Sequence, residues 1–169
     1  MPRFLAALLI ALTAFFSVPA VAAGKTKAID FQFTDIDGHV RRLSDFKGKW
    51  VLVNFWAPWC PLCWAEVPTL NQLSKRADFA VIGIGLDYGS DSDVVRETAN
   101  NHRLDVDAVI AGGARRDPAS PFRQVGPVDF YPTSYLYDPN GEIVMFIPGQ
   151  VRSAKVLAFM ESWKAERRG

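Results

Sequence analysis

The sequence predicts an α/β fold, a central mixed β-sheet flanked by helices with a short N-terminal β-hairpin in front of it. Three observations carry that expectation. Trp50 to Trp56 and Phe79 to Leu86 are near-continuous apolar runs of strand length, as in strands covered on both faces. The segments that follow them carry helical patterns. Late in the chain, two more strand-like stretches straddle Asp138-Pro139-Asn140-Gly141, a turn composition between antiparallel strands.

In chain order, Phe31 to Phe33 and Val40 to Arg42 flank Asp37-Gly38, a dipeptide favoured in tight hairpin turns. The run from Trp50, rich in β-branched and aromatic residues, is expected to be the central strand. Pro61 to Arg76 has Leu62, Val67, Leu70 and Leu73 at helix-like spacing, with Pro61 suited to a first helical position and Pro68 predicting a kink. After the strand from Phe79 come a helix over Ser92 to Arg103 and a third strand over Val106 to Ile110. Gly112 to Pro121 reads as a long loop. Strands over Thr133 to Tyr137 and Glu142 to Ile147 follow, and a last helix, Ser153 to Glu166, places Val156, Phe159, Met160 and Trp163 on one side.

The composition is that of one globular domain, with 49% apolar residues and a formal net charge of +1. With no block of like charges, it offers no electrostatic footprint for nucleic acid or for an anionic membrane surface. Residues 1 to 23 differ from the rest: a basic start at Arg3, an uncharged apolar run from Phe4 to Val18, and the small residues Ala20, Ala22 and Ala23. That pattern reads as a secretory signal, and the run is shorter than the ~20 residues that span a bilayer. Cleavage is the expectation, with an uncleaved inner-membrane anchor as the alternative. Residues 24 to 169 then form the domain.

Its two cysteines are Cys60 and Cys63. A bridge between them closes a four-residue loop, which the chain-entropy model values at about 2 kcal/mol, against about 4.7 for a loop near 100 residues. As a staple it is poor. In an exported chain, a close pair is better explained as a dithiol that cycles with its disulfide. Half of a zinc site or two inert buried thiols are the bland alternatives, but zinc would want two more ligands, and His39 and His102 fall at no finger-like spacing. The pair sits where the central strand ends and its helix begins. Unpaired backbone N–H groups there favour an anion, which makes Cys60 the nucleophile. Cys63, one turn deeper on the same side, becomes the thiol that resolves a mixed disulfide.

From Val51 to Pro68, through Trp59-Cys60-Pro61-Leu62-Cys63 and a proline five residues beyond, the sequence resembles the thioredoxin superfamily and within it the exported TlpA/ResA-type thiol-disulfide reductases. Tyr131-Pro132-Thr133 ahead of Asp138-Pro139-Asn140-Gly141 resembles the second signature of that family. The resemblance implies a thioredoxin-like domain, a cis peptide bond before Pro132, and a position for Pro132 against the cysteine pair. It also implies that the backbone at Tyr131 pairs with an extended substrate segment. Trp59 is expected to form an apolar lip beside Cys60, Trp56 to pack beneath, and Trp64 to sit on the docking rim or the helix surface. His39 and His102 read as solvated residues far from the pair.

Two positions tune the chemistry. Thioredoxins proper carry a buried aspartate beneath the disulfide, and Asn54 stands there in this chain. An amide is no base. The exported reductases pair such an Asn with a glutamate three residues after the second cysteine, here Glu66. On spacing alone Glu66 reads equally well as a solvated acid in the first turns of a helix, whereas the resemblance implies a general base for Cys63.

The expected function is that of a periplasmic oxidoreductase which reduces disulfides of exported proteins. No cofactor is expected beyond the redox-active disulfide, and a membrane-embedded thiol donor would recharge it. Apocytochrome c and copper-handling proteins of oxidase assembly are the substrates that the resemblance suggests. A disulfide oxidase or isomerase and a copper-binding chaperone are the alternatives. A peroxidase would usually place a Pro-x-x-x-Thr segment before its cysteine, and Phe55-Trp56-Ala57-Pro58-Trp59 departs from that pattern.

Overall fold

A computed structural model describes residues 29–167. The signal expected over residues 1 to 23 lies outside the described residues. A five-stranded mixed sheet has the order β5-β4-β3-β6-β7, with β3 (Trp50–Trp56) in the centre. It pairs in parallel with β4 (Phe79–Gly85) and antiparallel with β6 (Thr133–Tyr137). Outside these lie β5 (Ala108–Ala111) and β7 (Ile143–Pro148). Every residue of β3 and β4 is buried, as two covered faces require.

The alternation along β3 sorts the core. Val51, Val53 and Phe55 face a cluster with Phe31, Ile82, Phe122 and Tyr137. Trp50 and Leu52 face Leu70, Leu73, Val156 and Met160, from α2 (Val67–Ser74) and α4 (Ser153–Glu166). Phe159 and Trp163 of α4 pack edge-on against the Trp50 ring. The period of two therefore puts Asn54 on the helix side of the sheet.

The hairpin is present as β1 (Gln32–Thr34) and β2 (Val40–Arg42), but a two-residue turn at Asp37-Gly38 does not close it. A five-residue loop does, organised by Asp35, whose carboxylate accepts the N–H groups of Asp37 and His39 and the Arg41 Nε–H. Burial alone would raise the Asp35 carboxyl, yet these donors hold it below its usual value. The loop docks on the sheet edge, where Ile36 N–H donates to Val109 O. The β6–β7 turn is built alike: buried Asp138 accepts the Asn140 and Glu142 N–H groups. In both turns the residue three after the aspartate, Gly38 or Gly141, takes a positive φ that a side chain would strain.

The helix expected over Pro61 to Arg76 is interrupted rather than kinked. It divides into α1 (Pro61–Ala65) and α2, with Glu66 ending one and opening the other. Pro68 has no N–H to give the Trp64 carbonyl, so the ladder breaks before it. Two short 3-10 turns, Leu43–Phe46 and Pro121–Gln124, lie in segments without a helical pattern in the sequence. The third helix, α3, spans Asp93–Asn101.

Candidate active site

Cys60 stands between β3 and α1 in extended backbone and caps the helix, with Pro61 at the first helical position. It is joined to Cys63 by a disulfide with Cα atoms 5.4 Å apart. Cys63 N–H donates to Cys60 Sγ at 3.2 Å, and Cys60 N–H donates to Ala57 O at 3.0 Å. The pair packs with Trp56, Ala57, Val95, Ala99 and Val109, while Trp59 and Leu62 on either side of Cys60 are exposed.

Glu66 is the chemically unusual residue here. It is 2% exposed, and among the described residues no cation pairs with it. Its Oε1 accepts Asn54 Nδ2 at 2.8 Å and its Oε2 accepts the Val151 N–H at 2.6 Å. Asn54 Nδ2 also donates to Ser134 Oγ at 2.9 Å, across the β3–β6 pairing in which the two residues are direct partners. Desolvation pushes the Glu66 carboxyl up to about 7, against the opposing pull of these two hydrogen bonds. A carboxyl in that range exchanges protons near neutral pH. The solvated alternative for Glu66 is thereby removed. The sequence pointed to Asn54 and Glu66, but Ser134 and the Val151 N–H come from distant segments.

The Tyr131–Pro132 peptide bond is cis. Pro132 is buried and its carbonyl accepts the Gly149 N–H. Tyr131 packs beside the cysteine cluster and meets the Trp59 ring edge-on at 5.5 Å. Its hydroxyl donates to Asp87 Oδ2 at 2.9 Å, and burial followed by this bond raises its pKa. Arg115 completes the group, with its guanidinium 3.6 Å from Asp87 and 5.2 Å from the Tyr131 ring centre. No motif in the sequence announces Asp87 or Arg115.

Trp64 is half-buried and does not lie open on the helix surface. Its ring is stacked flat on His102 at 4.0 Å, with an edge contact to Trp56 at 5.0 Å, so His102 is not remote from the pair. Trp56 packs beneath as expected, over Gly83 and Gly85 of β4, and a Cβ on Gly85 would come within 3.0 Å of its ring. His39 stays out on the hairpin loop, beside Asp35. Among the described residues no three His, Cys, Asp or Glu side chains come together as a metal-binding group, and no helix is long and apolar enough to cross a membrane.

This geometry has close counterparts. Residues 25–146 match the model of the AhpC/TSA family. The thiol-disulfide oxidoreductase ResA of Geobacillus kaustophilus (strain HTA426) is 35% identical over 153 residues, covering 89% of this chain and 83% of that one. ResA of Geobacillus thermodenitrificans (strain NG80-2) is 33% identical over the same coverage. A thiol:disulfide interchange protein of the thioredoxin family from Chlorobium tepidum TLS superposes with a TM-score of 0.65 at 26% identity, over 79% of this chain and 92% of that one. With a disulfide at the strand–helix junction of a thioredoxin-like sheet and these relatives across most of its length, the chain belongs to the AhpC/TSA family, as a thiol-disulfide oxidoreductase of the ResA type.

Proposed function

We propose that the protein works outside the cytoplasm, in the periplasm, as a reductant of disulfides in other exported proteins. Reduced Cys60, as thiolate, attacks one sulfur of the substrate disulfide; a mixed disulfide forms and the other substrate sulfur leaves as thiolate. Glu66 takes the proton of the Cys63 thiol. The Cys63 thiolate then attacks Cys60 Sγ, the mixed disulfide breaks, and the second substrate sulfur departs. Two electrons have moved to the substrate, and Cys60 and Cys63 are joined. A membrane-embedded dithiol returns the electrons. Trp59, Tyr131 and Pro132 form the surface on which the substrate segment lies. Apocytochrome c before haem attachment and copper-handling proteins of oxidase assembly are the substrate classes that the family resemblance suggests.

The observation that carries the reducing direction is how sparsely Cys60 Sγ is hydrogen-bonded. Among the described residues its donor is the Cys63 N–H alone, because Pro61 has no N–H and Leu62 brings no charge. A thiolate held so lightly does not drive the disulfide open, and the couple lies away from the strong-oxidant end of the scale. Equilibration with glutathione tests this: a potential near −120 mV, that of a strong oxidant, overturns it, and one well below −200 mV supports it. Cys63→Ser should accumulate an unresolved mixed disulfide on Cys60, whose captured partner identifies the substrate. Accumulation with Cys60→Ser instead would reverse the two roles.

A further inference from the structure

We propose that Trp64 is a positioning residue for Cys60, its indole holding the turn that presents the sulfur. The inference rests on Cys60 as the attacking thiol, as assigned above. Trp64 Nε1–H donates to the carbonyl of Pro58, two residues before Cys60, at 3.2 Å. The same turn is otherwise closed by the bond from Cys60 N–H to Ala57 O. Pro58 has no N–H of its own to anchor it, and the exposed Trp59 touches Tyr131 only edge-on. The helix gives little support, since α1 ends at Ala65.

The indole that makes this bond is itself fixed on two sides. One face lies on the His102 ring, with 4° between the planes, and Trp56 abuts it from the sheet. His102 is the C-terminal cap of α3, its N–H donating to Thr98 O at 3.1 Å. The residues after it are gripped from α2, where Asn71 Nδ2 donates to Arg103 O at 2.7 Å and Asn71 Oδ1 accepts the Asp105 N–H at 2.9 Å. A brace thus runs from α2 through the end of α3 and the Trp64 ring to Pro58. It keeps Cys60 Sγ in reach of the Cys63 N–H, the donor that stabilises its thiolate.

Two variants separate the parts of the brace. Trp64→Phe keeps a ring against His102 and removes the N–H, while His102→Ala keeps the N–H and frees one face of the indole. Each is equilibrated with glutathione and followed by thermal unfolding, and the pH profile of Cys60 alkylation by iodoacetamide is recorded in a Cys63→Ser background. The expected result for Trp64→Phe is a shift of the equilibrium toward the disulfide by about three- to tenfold, the worth of one hydrogen bond. A tenfold change is about 30 mV. The alkylation midpoint moves upward in pH. His102→Ala shifts both readouts in the same direction by a smaller factor. A folded Trp64→Phe whose equilibrium and alkylation profile stay within about twofold of the parent, inside the range of a bond worth nothing, overturns the proposal. Should Trp64→Phe fail to fold, His102→Ala decides: its ring is exposed, and unchanged readouts from it also overturn the proposal. Faster alkylation of Cys63 than of Cys60 in the fully reduced parent would instead refute the assigned order of attack, leaving the glutathione shift as a separate measure of the brace.

Discussion

Asn54 donates to Glu66 across the gap between the central strand and the α1–α2 break, at 2.8 Å, and a second buried donor, the Val151 N–H, holds the other carboxylate oxygen. The site thus contains a buried carboxyl, three residues after Cys63, that among the described residues is hydrogen-bonded but not paired with a cation.

This arrangement links stability to pH. In the unfolded chain Glu66 titrates near 4.5, and in the folded chain at about 7. Between those values the unfolded state has released a proton that the folded state still holds, so stability falls as pH rises from 4.5 to 7 and levels off above. The full drop is about 3 kcal/mol. Glu66→Gln should lack it. Guanidinium midpoints of parent and variant at pH 4.5, 6 and 8 check the expectation, with the difference between the two proteins isolating this residue.

Replacing Asn54 by Asp places a second acid against the first. Two carboxyls at that separation cannot both ionise cheaply, so the pair should titrate with one apparent pKa above that of Glu66 in the parent. Asn54→Asp is expected to lose stability between pH 7 and 9, where the parent is flat, and to shift the pH optimum of substrate turnover upward. Carboxyl infrared bands followed against pH provide the direct measurement.

Tyr131 is held by its hydroxyl bond to Asp87, and Tyr131→Phe removes that bond while leaving the ring against Trp59. A loss of about 1 kcal/mol in holding the loop is expected. Steady-state reduction of a protein disulfide should show KM raised severalfold with kcat little changed. The glutathione equilibrium of the cysteines should not move.

The β6–β7 turn offers a test of stability alone. Asp138→Ala leaves the Asn140 and Glu142 N–H groups without their charged acceptor, at a cost of about 2–4 kcal/mol. Asp138→Asn retains an acceptor oxygen and should cost less than half as much. Thermal unfolding of the two variants gives the comparison.

Much of this architecture is legible in local pattern. The apolar runs of β3 and β4 and the proline at the start of α1 each specify an element by its own residues, and the cysteine spacing marks the reacting atoms. Glu66 and Asn54 are visible too, by their offsets from the cysteines and by the family resemblance. What escapes is set by contacts far apart in the chain. Ser134 reaches Asn54 only through sheet register, Asp87 and Arg115 meet Tyr131 from two different loops, and His102 finds Trp64 because α3 ends beside α1. The helix break is a local effect misplaced: Pro68 signals it, but the interruption falls at Glu66, because the N–H that Pro68 lacks leaves the Trp64 carbonyl open. The hairpin turn likewise follows a side chain, Asp35, and not the dipeptide at its tip.

The glycines beneath Trp56 bind two neighbouring strands into a single allotment of volume. With 3.0 Å between its ring and a methyl group on Gly85, neither partner can grow unless the other shrinks. Gly85→Ala alone should therefore be poorly tolerated and Trp56→Phe alone should leave a void; because the added methyl would also meet Val95 Cγ1 at 3.1 Å, combining the two relieves only part of the clash. Sequence drift at the ends of β3 and β4 is thus tied to Val95 of α3 as well, although none of the three residues takes part in the chemistry.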